Sequence, residues 1–229
     1  MTVCRRWDLE PPKGGTAVVI DVLRFSTTIC ALLKAGRRIV RVCETPNGLE
    51  KAPEPNQSDA FSELDFRWPG RHLDNSPALA LSEESSERPA YVTTTSGSRA
   101  LWASRGVERV LVGGFANFNA VVGALGESPE PFWFVPAAPP VRPNAIEDEL
   151  CAEAFRAALS GRDRAAEQAI LRLQESPRLG EFYSLGIPTD REDAAFALKV
   201  DSIPMLPEAD FPPKGEEGRF PFATIRRNA

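Results

Sequence analysis

The stretch Thr16-Ala-Val-Val-Ile-Asp-Val-Leu-Arg-Phe-Ser-Thr-Thr28 decides the fold. Its first half is a short β-branched run after a Gly-Gly turn, which reads as a buried strand through Leu23. From Arg24 the period changes. Phe25, Ile29, Leu32 and Leu33 recur at helical spacing, Ser26 or Thr27 can cap the start, and Gly36 closes the end. Arg38 to Cys43 reads as a second strand, and strand, helix and strand over this length form one crossover unit, so the two strands are expected to be parallel.

Outward from this unit the alternation breaks and then resumes. Residues 44–70 carry Pro46, Gly48, Pro53 and Pro55 and are expected to be irregular surface. Strands are expected at 89–95, 107–112 and 131–136, with helices starting after Arg99 and near Asn117. Residues 146–198 carry four helical patterns. Ile203–Leu206 is expected to be an edge strand and the Pro-rich tail to be loose. The fold class is therefore α/β: a mostly parallel sheet with helices on both faces and a helical C-terminal portion. One domain fits 229 residues, with room for two lobes at 1–143 and 144–229.

Composition narrows the function. Hydrophobic residues are 42% and charged residues 26%, the balance of a water-soluble globular chain, and no stretch approaches the ~20 apolar residues of a membrane span. The formal charge of −5 gives no general pull toward nucleic acid or anionic membrane, so an anionic small molecule needs a local positive cluster. Cys4, Cys30, Cys43 and Cys151 form no CxxC pair and read as buried thiols of a reducing compartment. With the single histidine His72, a zinc-hydrolase site is excluded. The start carries charges but no apolar core of a signal peptide, so the cytoplasm is the expected location. The sequence leaves room for a homo-oligomer.

Ligands of an open parallel sheet bind at the carboxyl ends of its strands, where the next helix begins. Three such turns carry chemistry. Asp21 can bind a hard cation such as Mg²⁺, or act as base or nucleophile; Arg24 offers a planar fork to phosphate or carboxylate, and Ser26 and Thr27 add hydroxyls. The same residues equally read as a buried Asp–Arg pair with two caps. Leu23 excludes the Asp-x-Asp motif of haloacid-dehalogenase phosphatases. Thr93-Thr-Thr-Ser-Gly-Ser-Arg99 reads as an anion cradle or as a well-capped helix start. Glu147-Asp148-Glu149 can hold Mg²⁺ or simply offset a helix dipole. Asn75-Ser76-Pro77 and Asn117 occupy turn positions.

Taken in order, these segments resemble the 2-phosphosulfolactate phosphatase family. Ile20-Asp-Val-Leu-Arg-Phe-Ser-Thr-Thr28 is similar to its opening IDVLRATST. Ser62-Glu63-Leu64 and Asn75-Ser76-Pro77 stand where the family has Gly-Glu-Arg and Asn-Ser-Pro. Thr93-Thr-Thr-Ser-Gly-Ser-Arg-Ala100 stands for TTTNGTRA, Val110–Asn117 for the strand and Asn-led helix, and Glu147-Asp148 for the Glu-Asp helix start. The likeness covers roughly 16–206.

It implies Mg²⁺-dependent hydrolysis of a small anionic 2-phospho acid, 2-phospho-3-sulfolactate, on the way to coenzyme M. Catalytic roles fall to Asp21, Arg24 and Glu147, and metal ligands to Asp21, Glu63, Glu147 and Asp148. Substrate contacts fall to Ser26, Thr27, Asn75, Thr94, Thr95, Ser96, Gly97, Arg99 and Asn117. Leu64 replaces the family's Arg, and Ala137–Pro143 replaces a Gly-containing loop. These departures favour a second expectation, a catalytically altered member that binds an anionic metabolite or serves as an interaction subunit.

Overall fold

A computed structural model describes residues 2–3, 7–8, 10–82, 87–138 and 145–228. Ten strands make one sheet: β1 (Thr2–Val3), β2 (Thr16–Ile20), β3 (Val40–Val42), β4 (Asp59–Phe61), β5 (Arg71–Leu73), β6 (Ala90–Val92), β7 (Arg109–Gly113), β8 (Phe132–Pro136), β9 (Leu206–Asp210) and β10 (Ala223–Asn228). Their order is β1-β8-β2-β7-β9-β10-β3-β6-β4-β5. The helices are α1 (Phe25–Lys34), α2 (Pro77–Ser82), α3 (Gly97–Ala103), α4 (Phe118–Leu125), α5 (Glu147–Leu159), α6 (Ala165–Gln174), α7 (Arg178–Tyr183) and α8 (Asp190–Ala197).

The sheet is two parallel quartets joined by a hairpin. β1, β8, β2 and β7 run parallel, as do β3, β6, β4 and β5. Between them lie β9 and β10, antiparallel to each other and to the strands they touch. This corrects two expectations. β2 and β3 are not neighbours, and the three antiparallel junctions between them reverse their sense along the ladder. The C-terminal segment is not an edge and a loose tail: its two strands lie mid-sheet. Residues 44–70 also hold β4, whose three residues are too few to show a period against their prolines.

Alternate residues of β2 feed opposite faces. Ala17 and Val19 join a core with α1 and with Val40, Val42, Val92, Ala223 and Ile225. Val18 and Ile20 join one built on α4, α5 and α6. There Phe155 of α5 stacks between Phe118 and Phe134, at 4.5 and 5.8 Å between ring centres, which seats α5 on β8. α1 is buried from Phe25 through Leu33, its polar Ser26, Thr27 and Thr28 included, as a helix enclosed by its sheet must be. Cys30, Cys43 and Cys151 are buried free thiols; Cys4 lies outside the described residues. Among the described residues no helix is long and apolar enough to cross a membrane.

Candidate active site

The carboxyl ends of strands from both quartets open on one cavity of about 370 Å³. Asp21, Leu23 and Arg24 follow β2; Ala138, Glu147 and Asp148 follow β8; Glu63, Asn75, Thr95 and Ser96 follow β4, β5 and β6. Arg178, Phe182, Leu185 and Ile187, from α7 and the segment after it, form the facing wall.

Asp21 stands at the centre of the charge. Its backbone N–H donates to Ser26 Oγ (3.0 Å) and its carbonyl accepts from Ser26 N–H (2.9 Å), so the β2–α1 turn is closed by Ser26. Thr27 Oγ donates to the Val22 carbonyl (3.3 Å). The Leu23–Arg24 peptide is cis. Burial, then the charges of Glu63 and Glu147, push the Asp21 carboxyl up from 3.8 to about 7, against the backbone N–H groups of Phe25 and Gly97 that hold it down. Gly97 is required for that approach: a Cβ there would lie 2.4 Å from the Phe25 ring.

The other carboxylates are already engaged. Asp148, in the first turn of α5, accepts from the N–H of Val22 (2.8 Å) and of Ala138 (3.0 Å), which ties α5 to the ends of β2 and β8. Burial, Asp21 and Glu147 raise it well above the usual carboxylate range. Glu147 is gripped at both oxygens by Arg178, at 2.8 and 2.6 Å. Glu63 Oε1 accepts from Thr95 N–H (2.7 Å).

Several residues assigned from sequence have other work. Arg24, 5% exposed, gives its two terminal nitrogens to Asp74 (2.6 and 3.0 Å) and one of them also to Asp193 (2.9 Å), so it is no open fork for phosphate. Asp193 of α8 further accepts from Ser76 Oγ, Ala78 N–H and Thr189 Oγ, making α8 an anchor for both the Arg24 and Asn75 turns. Thr94 and Ser98 cap each other's N–H groups. Asn117 closes its own turn through Gly114 and reaches the Val112 and Met205 carbonyls. Ser26, Thr27, Thr94, Gly97 and Asn117 thus shape the site without lining the cavity. Arg99 is exposed on α3 and borders a different cavity with Trp7, Lys13 and Arg105, because the helical turn carries it away from the strand end. Of the loop 137–143, residues 139–143 lie outside the described residues.

Sequence reasoning missed Arg178, Asp74 and Asp193. The one available signal for Arg178 was its place in a first helical turn after Ser176-Pro177, which says nothing of a partner 31 residues earlier.

The donor set suits a hard cation in one way only. Among the described residues no three acidic, His or Cys side chains converge as a ready cage. Glu147 and Asp148 have both oxygens in use. Asp21 accepts Phe25 N–H at Oδ1 (3.4 Å) and Glu63 accepts Thr95 N–H at Oε1, which leaves carboxylate oxygen for a cation, and Asn75 Oδ1, in the same cavity, is buried without a partner among the described residues. Mg²⁺ is commonly held like this, by one or two carboxylates with water and substrate phosphate completing its shell.

Comparison with known proteins identifies the family. The family described as 2-phosphosulpholactate phosphatase matches residues 7–210. A "Probable 2-phosphosulfolactate phosphatase" of Symbiobacterium thermophilum is 33% identical over 162 residues, 69% of each chain. One of Synechocystis sp. is 29% identical over 223 residues, 88% of this chain and 92% of the relative. One of Thermoplasma volcanium is 26% identical over 194 residues, 83% of this chain and 87% of the relative. With the match spanning the strand ends that build the cavity, the chain belongs to the 2-phosphosulpholactate phosphatase family, a family of phosphoric monoester hydrolases.

Proposed function

We propose that the protein hydrolyses 2-phospho-3-sulfolactate to 3-sulfolactate and phosphate, with Mg²⁺ held by Asp21 and Glu63 beside the Asn75 amide oxygen. The observation that carries this reading is the strained charge at Asp21: a carboxyl raised to about 7 first by its burial and then by Glu63 and Glu147, two carboxylates that share its cavity. Such a cluster is relieved by a cation or a proton, and perturbed carboxyls in a cleft mark reaction sites. Bound there, Mg²⁺ would neutralise the phosphate oxygens and lower the proton affinity of water. The Asp21 carboxylate would serve as a ligand of that cation. Gly97 and Phe25 fix its orientation, and Asp148 locks the floor beneath it through Val22 and Ala138.

The test is phosphate release from 2-phospho-3-sulfolactate with Mg²⁺ and with a chelator. Turnover should require the metal, and Asp21→Asn should reduce it by at least about a thousandfold. Chelator-insensitive turnover, or near-wild-type rates in Asp21→Asn, would overturn the assignment. Release from a different 2-phospho ester alone would keep the chemistry and change the substrate.

A further inference from the structure

The described lining of the cavity is short of positive charge for an acid-rich phosphate ester. It sets four carboxylates, Asp21, Glu63, Glu147 and Asp148, against two guanidiniums, Arg24 and Arg178. Arg24 has both terminal nitrogens turned to Asp74 and Asp193 and is almost fully buried. Arg178 is placed differently. It grips Glu147 with Nε and Nη2 only. A guanidinium has five N–H donors on a rigid plane, so a fork bound through its Nε edge keeps the Nη1 side available. The described residues supply no partner for Nη1, and the side chain is 15% exposed at the cavity wall. Beside it stand Phe182, Leu185 and Ile187, an apolar surface suited to a carbon skeleton rather than to a solvated phosphate.

We propose that Arg178 determines specificity: with Glu147 fixed on one edge, its free edge binds the acid group of the substrate that does not react. That group is an anion with two or three equivalent oxygens, a carboxylate or a sulfonate. The proposal rests on the reading of this cavity as a 2-phospho acid site. It explains how a site whose other described arginine is sequestered can select such a substrate over a plain phosphate ester. It also gives the Glu147–Arg178 pair a purpose, since the pair orients the fork.

The experiment compares wild type with Arg178→Lys, which keeps the charge beside Glu147 but not the second edge. Substrates are 2-phospho-3-sulfolactate, 2-phospholactate and an aryl phosphate with no second acid group. The variant should lose roughly ten- to a hundredfold in kcat/KM on the sulfonated ester, mostly through KM, and at least about tenfold less on the aryl phosphate. A loss that persists on 2-phospholactate assigns the contact to the carboxylate; a loss confined to the sulfonated ester assigns it to the sulfonate. Equal losses on all three esters, or a loss in kcat alone, would overturn the proposal.

Calorimetric titration with 3-sulfolactate, which needs no turnover, keeps the question separate from the phosphatase assignment. Binding about tenfold or more weaker in Arg178→Lys supports the contact. Equal affinity, or no binding to wild type, refutes it whatever the esterase result.

Discussion

Replacing Asp21 with Asn should stabilise the metal-free protein above neutral pH while removing its activity. The carboxyl is 8% exposed and is raised from 3.8 to about 7, first by burial and then by Glu63 and Glu147. A group whose pKa is higher in the folded chain than in the unfolded one binds its proton more tightly when folded. Its contribution is fully present below the unfolded value and is lost as pH rises to the folded value. The window therefore runs from about pH 4 to about 7, and at ~1.4 kcal/mol per pH unit the loss is on the order of 4 kcal/mol. Asn keeps the size of the side chain and an oxygen for the Phe25 and Gly97 N–H groups, but has no charge to bury. It also removes one of the charges that raise Asp148. Denaturant unfolding in chelator at pH 5 and pH 8 measures both effects. Wild type should be less stable at pH 8, and Asp21→Asn should have a flatter profile and exceed wild type at pH 8 by a few kcal/mol, roughly. Wild-type stability that is level or rising over this range, or an Asp21→Asn protein weaker at pH 8, refutes the account of this carboxyl.

The opposite sign is expected at Asp59. Burial opposes its charge, but Arg71, Arg88 and Arg37 hold it down to about 2, so its contribution is present above about pH 4 and disappears as pH falls toward 2. About 2 kcal/mol should be lost over that interval in wild type and not in Asp59→Asn; parallel acid unfolding of the two by circular dichroism would contradict this. Arg99→Ala should leave kcat/KM within about twofold, because this arginine borders another cavity; a tenfold fall would return it to the site. Asp193→Ala leaves Arg24 paired with Asp74 alone and strips Ser76, Ala78 and Thr189 of their buried acceptor, and should cost about 3–5 kcal/mol in denaturant unfolding, with a cost under about 1 kcal/mol counting against the anchoring role.

What was legible in the sequence was local. A β-branched run breaking into helical spacing at Arg24 placed β2 and α1, and the rule that ligands gather at strand ends pointed to Asp21, Glu147 and Asp148, which line the cavity. What was not legible depends on distant partners. Leu206-Pro-Glu-Ala-Asp210 has a proline and two acids in five residues and no strand propensity to speak of. It is a strand because β10 pairs along its whole length and because Glu208 meets Arg109 at 2.9 Å. Arg24 and Arg99 were read alike, as forks near a strand end, yet one is sequestered by Asp74 and Asp193 and the other is turned outward. Nothing within a few residues of either marks the difference.

The inserted hairpin also explains why Asp21 is buried at all. Three reversals along the ladder would put the carboxyl ends of a flat sheet's two quartets on opposite edges, with Asp21 far from Glu63. They share a cavity because the sheet curls, as twisted sheets of many strands do. The curl closes around α1: residues of β2, β3, β6, β7 and β10 meet in one core with Phe25, Ile29 and Leu32. A helix enclosed in this way encloses the connection that leads into it, and the connection from β2 to α1 begins at Asp21. Burial is the largest cause of the raised Asp21 pKa, and the repulsion from Glu63 comes from the other quartet. Both follow from the antiparallel β9–β10 pair that joins the quartets. The raised proton affinity of this carboxyl is thus a property of the whole sheet, including its last strand, and not of the turn that carries it.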